Sequence, residues 1–350
     1  MSTLPVKSGA ATLSDLAKSL DPSGKTDTVV ELLNQSNEIL RDMLWIEGNL
    51  PTGHRTTVRT GIPLATWRQL YQGVPPVKTT RAQITDSCGI LEQRSEVDKH
   101  LADINGNTAA FRLSEADGIV EGINQQMAET LIYGDSSLHP ERYTGLAARY
   151  NTINTSTAES AKNVISAGGS GNCTSVWLVL WGENTVCGIF PKGSMAGIQH
   201  QDLGEIDAFD SSNNRYRAYS DIWTWKCGLT VRDWRYVVRI CNISLTDLLG
   251  QSGTQANTAA TWLPKLMVKA LARIPYMGKG RAAFYASRTV KEMLAIGAMD
   301  KNQQVLSIQQ AVQEYGKVEP GFVSENGTVR CLGVPVRTVD KLLETESALT

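Results

Sequence analysis

Few residues in this chain have the types and spacing that chemistry needs. SGKT, residues 23–26, ends like a phosphate-cradling loop, in which backbone N–H groups and the lysine would hold a nucleotide. That loop requires a glycine five positions before Gly24, and Ser19 stands there. GGSGN, residues 168–172, approaches the elbow that exposes a nucleophilic serine, but Asn172 replaces the closing glycine and no apolar strand feeds it directly. It reads as a loop. His54, His100, His139 and His200 lie far apart, none in an HExxH pattern or beside carboxylates at metal-ligand spacing. The pairs Glu96/Asp98 and Glu115/Asp117 read as solvated or helix-capping groups. The six cysteines (Cys88, Cys173, Cys187, Cys227, Cys241, Cys331) include no CxxC pair, and read as small buried side chains in a reducing compartment. No catalytic, cofactor-binding or metal-ligating residue is assigned, and the chain is expected not to be an enzyme.

Arg235 and Arg239 are the remaining candidates. They sit in GLTVRDWRYVVRICNI, residues 228–243, where Trp234, Tyr236, Val238 and Ile240 alternate with Asp233, Arg235, Val237 and Arg239. Period-2 alternation predicts a half-buried strand. Its polar face would grip a ligand, track nucleic acid, meet another protein or simply face water. Lysine and arginine are spread along the chain, and the formal net charge is −1, so no global basic field draws it to nucleic acid or lipid. Charged residues are 20% of the sequence, below the roughly 25% usual for soluble domains, which fits a protein that hides surface against partners.

Those residues must be positioned by elements that the pattern also predicts. Residues 1–26 are small and polar and read as an arm. TDTVVELLNQSNEILRDMLWIEGN predicts a helix, capped by Thr28 and Glu31 and stopped at Gly48-Asn49, with one apolar stripe that must dock on its own chain or a neighbour. Residues 51–95 have strand composition with polar residues on both faces, a long hairpin flanking LATWRQLYQG. A lone two-stranded ribbon is marginal in water, so a neighbouring subunit is its expected support. A second helix is predicted over 114–133, capped by Ser114, with Ile119, Ile123, Met127 and Leu131 on one face and Gly134 at its end. Gly118 and Gly122 on its path imply a close contact or a bend.

From 145 to 250 the reading is mainly β. SVWLVLWG is an apolar strand, and AYSDIWTWKCGL, with Trp223, Trp225, Cys227 and Leu229 on one face, is expected to pair with the 228–243 stretch as an antiparallel hairpin. Farther on, AATWLPKLMVKALARIP predicts a helix, RAAFYAS a strand, and SRTVKEMLAIGA a helix capped by Ser287. A turn at Asn326-Gly327 and a break at Gly333-Val334-Pro335 frame the last strand. The fold class is mixed α/β (α+β), a mixed sheet flanked by helices. The first residues hold no apolar core of a secretion signal, and no apolar run approaches the roughly 20 residues of a membrane span, so synthesis in the cytoplasm and no membrane contact are expected.

GENTVCGIFPKGS (182–194), GLTVRDWRYVVRICNI (228–243), RAAFYASRTVKEML (281–294) and LGVPVRTVD (332–340), in this order, resemble the HK97-fold major capsid proteins of tailed double-stranded DNA phages, in a branch of short-tailed phages. The resemblance implies an N-terminal arm (1–48), an extended β-hairpin loop (49–97), a peripheral domain with a spine helix (98–145), an axial domain with peripheral strands (146–325) and a closing strand (326–350). It implies self-assembly into hexamers and pentamers of an icosahedral shell around packaged DNA, a place in the virion, and contacts with scaffold, portal and decoration proteins. Some members crosslink through a lysine and an asparagine; no residue here matches that pattern, and no crosslink is expected. Arg235 and Arg239 would then face a neighbouring element or the shell interior. The alternatives are an encapsulin-like shell and an enzyme whose site is assembled from distant residues.

Overall fold

The computed structural model describes residues 35–104, 108–210, 212–249, 258–299, 306–309 and 328–350. In chain order the strands are β1 (Trp45–Glu47), β2 (Gly53–Gly61), β3 (Thr80–Asp98), β4 (Val164–Ser166), β5 (Cys173–Trp181), β6 (Val186–Phe190), β7 (Ile198–Phe209), β8 (Arg215–Val231), β9 (Val237–Ser244), β10 (Arg281–Ala286), β11 (Leu306–Gln309), β12 (Thr328–Cys331) and β13 (Val334–Thr338). The hydrogen-bonded path runs β11-β12-β13-β10-β5-β6-β8-β3-β2, with β1 on β6, β7 on β8, and β9 between β4 and β5. Antiparallel pairs dominate, while β1–β6, β10–β13, β4–β9 and the short β5–β6 contact are parallel.

The run CTSVWLVLW explains where the core sits. A strand apolar on both faces needs cover on both, and every residue of β5 is buried. Trp177, Val179 and Trp181 enter one core, and Val176, Leu178 and Leu180 enter another. The first core is closed by Ile123, Met127 and Leu131 of the long helix Thr108–Tyr133 and by Trp223, Trp225, Cys227 and Leu229 of β8. The second is closed by Leu263, Met267 and Ala270 of the helix Thr258–Arg273, and by Val290 and Leu294 of Arg288–Met299. Each such side chain contributes about 1.5–3 kcal/mol by leaving water. No described helix is long and apolar enough to cross a membrane.

Several sequence expectations need correction. Residues 228–243 are not one strand: β8 ends at Val231, Trp234–Tyr236 form a 3₁₀ turn, and β9 begins at Val237. The Asp233 side chain accepts the Arg235 N–H at 3.1 Å, which stabilises the bend. The alternation keeps its phase across that bend, so periodicity could not reveal it. Nor do the two halves pair with one another: β8 pairs with β3, β6 and β7, and β9 with β4 and β5. All of β9 is buried, because it lies between the two cores and not at a water-facing edge.

The long helix starts at Thr108, so Ser114 lies inside it and is no cap. Phe111 extends the helix backward by burying with Val97, Leu101 and Ala102, a tertiary contact with no local signature. Its end is as expected: a Cβ at Gly134 would come within 2.5 Å of the carbonyl oxygens of Thr130 and Tyr143.

Of the first predicted helix, Thr28 and Glu31 lie outside the described residues. Glu38–Asp42 is helical, but Trp45–Glu47 is extended against β6. There Gly188 N–H donates to Leu44 O and Gly48 N–H to Phe190 O, both at 2.8 Å. An available strand edge thus outcompetes local helix propensity. Ile39 and Met43 bury in the first core of their own chain.

At the other end, Leu332 and Gly333 form the β12–β13 turn with φ of 47° and 84°. Pro335 does not break the strand; it lies inside β13, whose pairing with β10 starts only at Val336. Asn326-Gly327 lies outside the described residues.

Candidate interaction surfaces

Among the described residues, the groups singled out in the sequence lie apart from one another. Gly168 and Gly171 adopt φ of +86° and +96° in a loop that leads into β5, so the GGSGN stretch is a loop. SGKT lies outside the described residues. Each histidine has separate surroundings. His100 is exposed, and exposed His139 lies 3.5 Å from Glu141. His200 stacks on Trp223 and reaches Asp221 at 2.9 Å. His54 lies at the root of the hairpin, 3.0 Å from Arg232. Among the described residues no three potential ligands cluster for a metal ion.

Arg239 and Arg235 part company. Arg239 is buried, pointing with Val237 and Cys241 into the first core. Its Nη2 donates to Glu346 Oε2 at 2.9 Å, Nε to Ser175 Oγ at 3.1 Å, and Nη1 to Tyr150 O at 3.0 Å. The guanidinium also lies over Trp177, 4.9 Å from the ring centroid. Glu346 accepts further bonds from Ser175 and, at 2.5 Å, from the Tyr133 hydroxyl. This arginine is a tie between β5, β9, the long helix and the chain's final residues, not a surface group. Arg235 is exposed and pairs with Asp233 at 2.7 Å.

A second tie joins the long helix to β7 and β8. Arg112 Nη2 lies 2.9 Å from Asp221 Oδ1 and 2.9 Å from Asp202 Oδ1. The Gly204 N–H and then Arg112 hold the Asp202 carboxyl below its ordinary pKa. A third anchors the hairpin, where buried Asp86 accepts from Arg149 at 2.8 Å and from Thr230 at 2.6 Å.

The hairpin is where surface is left over. β3 divides its length: Thr80–Ser87 pairs only with β2, whereas Cys88–Asp98 pairs with β8 in the body. At about 3.3 Å per residue the strand spans roughly 60 Å, so the free half projects well beyond the body. The tip, residues 62–79, exposes Ile62, Leu64, Trp67, Leu70, Tyr71 and Val77. Trp67 is 99% and Tyr71 102% exposed. Single exposed apolar residues are ordinary, but a run of this size, aromatics included, marks a surface made for a partner.

One signal in the sequence was missed. Between Glu47 and Asp86 stand Arg55, Arg59, Arg68, Lys78 and Arg81 with no acidic residue, so residues 48–85, the projecting part of the hairpin, carry +5 and the rest of the chain −6. Basic residues are therefore not evenly spread. A count per predicted element, not along the whole chain, finds this.

The family described as Major capsid protein GP7 matches residues 21–350. Among solved structures, a chain of bacteriophage Epsilon15 is 33% identical with a TM-score of 0.72, covering 100% of this chain and 98% of that one. The bacteriophage JBD30 capsid gives a TM-score of 0.48 at 9% identity, over 89% of this chain and 92% of that one. The holo-SrpI encapsulin complex of Synechococcus elongatus gives a TM-score of 0.43 at 10% identity, over 62% of this chain and 91% of that one. Comparison with curated proteins returns no match.

Proposed function

Because the chain belongs to the major capsid protein GP7 family and has the HK97-like capsid fold, a structural subunit of a phage shell, we propose that it builds hexamers and pentamers of an icosahedral shell around packaged double-stranded DNA. The observation that carries this reading is the projecting hairpin, whose apolar tip has no cover among the described residues. A contact in which one copy's hairpin lies on a different surface of the next copy is heterologous, and such contacts close into rings when the rotation permits. The ties through Arg239, Arg112 and Asp86 keep the body rigid, so that hairpin and body present a fixed geometry to neighbours.

Electron microscopy of the purified, concentrated protein tests the reading. Six- and five-membered rings or closed shells are expected. A protein that stays monomeric at every concentration and salt would overturn it. DNA inside shells recovered from infected cells would support the packaging part, whereas shells holding a protein cargo would point to an encapsulin-like role.

A further inference from the structure

Both ring nitrogens of His54 face hydrogen-bond donors. Arg232 Nη2 lies 3.0 Å from Nε2, and the Asn49 N–H points at Nδ1 at 3.3 Å. A neutral imidazole has one acceptor nitrogen and one N–H, so it satisfies one of these donors; an imidazolium satisfies neither. Arg232 has little else to turn to, since its Nε is buried without a hydrogen-bond partner. His54 itself is only 9% exposed, which leaves little room for water to substitute.

The location gives this arrangement its consequence. His54 lies opposite Asp86 in the β2–β3 ladder, where the hairpin leaves the body. Asn49 comes just before β2 and brackets Arg55, accepting its N–H at 2.7 Å and donating to its carbonyl at 2.8 Å. Arg232 immediately follows β8, the strand that holds the other half of β3. The His54–Arg232 contact therefore joins the projecting segment to the body.

The charged and titratable groups around it come from every element at the root. Asp86 on β3 is already engaged by Arg149 and by Thr230 of β8. Cys88 on β3 and Cys187 on β6 are both pushed up to about 11, chiefly by burial, and stay uncharged. With neutral His54 the charges that act on its ring are the Arg232 guanidinium and the Asp86 carboxylate, which Arg149 already engages, while the Arg55 side chain is exposed. A proton on His54 places a further positive charge against Arg232.

We propose that His54 is a proton-sensitive latch at the hairpin root, accepting from Arg232 when neutral to fix the hairpin's exit angle, and releasing it when protonated. Burial first, and then the Arg232 charge, hold the ring's pKa below its ordinary 6.5, with Asp86 opposing them. Because the folded-state pKa is lowered, the latch's stabilisation is present above 6.5 and is lost as pH falls through the lowered value.

Hydrogen exchange on the full-length, dissociated chain tests this, so its outcome does not depend on the shell reading. After correction for intrinsic rates, exchange at residues 49–56 and 84–88 should rise severalfold between pH 7.5 and pH 5, while β5 stays unchanged. His54→Gln keeps an acceptor near Arg232 but cannot titrate, and should abolish the rise; Arg232→Gln removes the repelling charge and should blunt it. The proposal is overturned if the wild-type root does not respond, if β5 responds equally, or if a folded His54→Gln chain keeps the full rise.

Discussion

Arg239 is a buried charge held by one carboxylate, and that makes Glu346 the residue whose loss should be felt most. Glu346→Ala leaves the guanidinium among Trp177, Val237 and Cys241 without a counter-charge. Removing one partner of a buried pair costs about 3–5 kcal/mol, which urea denaturation of the dissociated subunit should show. Replacing both, as Arg239→Met with Glu346→Leu, should recover most of that loss, because neither charge then has to be desolvated. Trp67 and Tyr71 predict the opposite pattern. Among the described residues both side chains are fully exposed, so Trp67→Ala and Tyr71→Ala should leave subunit stability within about 0.5 kcal/mol. Under the proposed assembly both should lower the yield of shells in sedimentation.

At the scale of elements, the long helix and the hairpin invite different tests. A Cβ at Gly118 meets nothing within 4 Å, and one at Gly122 meets only Gln93 Oε1 at 3.8 Å. The close contact expected from the sequence is thus not made among the described residues. Gly118→Ala and Gly122→Ala should each stabilise the isolated subunit by up to about 1 kcal/mol, the difference in helix propensity, visible as a higher Tm. Gly134→Ala should lower the Tm, since its Cβ would press on two backbone carbonyls. If shells of Gly122→Ala then form poorly or fail to change size, a neighbour's approach or a helix bend accounts for the glycine. Beyond its root the hairpin, in turn, should exchange its amides quickly over residues 57–61 and 80–83 in dissociated subunits and slowly in particles, because only one partner strand holds each there.

For the whole molecule, charge is segregated: +5 on residues 48–85, the projecting part of the hairpin, against −6 elsewhere. If the hairpin lies on the body of a neighbour, opposite charges meet, and salt should screen the approach, whose range shrinks from about 10 Å at 0.1 M to about 3 Å at 1 M. Light scattering should therefore show slower assembly as sodium chloride rises. An increase in rate with salt would mean that apolar burial at the tip governs the encounter instead.

The sequence alone determined the parts whose physics is local. The nine-residue run of β5, the stripe of Ile123, Met127 and Leu131, the Leu263–Ala270 stripe and the polar-faced hairpin are legible because periodicity and composition act over a few residues. Tertiary structure decided what depends on distant partners. It turned 228–243 into the end of one strand and the whole of another, because the choice between continuing and bending rests on which neighbours each half pairs with. It made Trp45–Glu47 a strand because β6 offered an edge. It buried Arg239 because Glu346, more than a hundred residues away in sequence, arrives to neutralise it. Likewise His54 meets Arg232 only where the two ends of a long ribbon root come together, and no spacing along the chain encodes that distance.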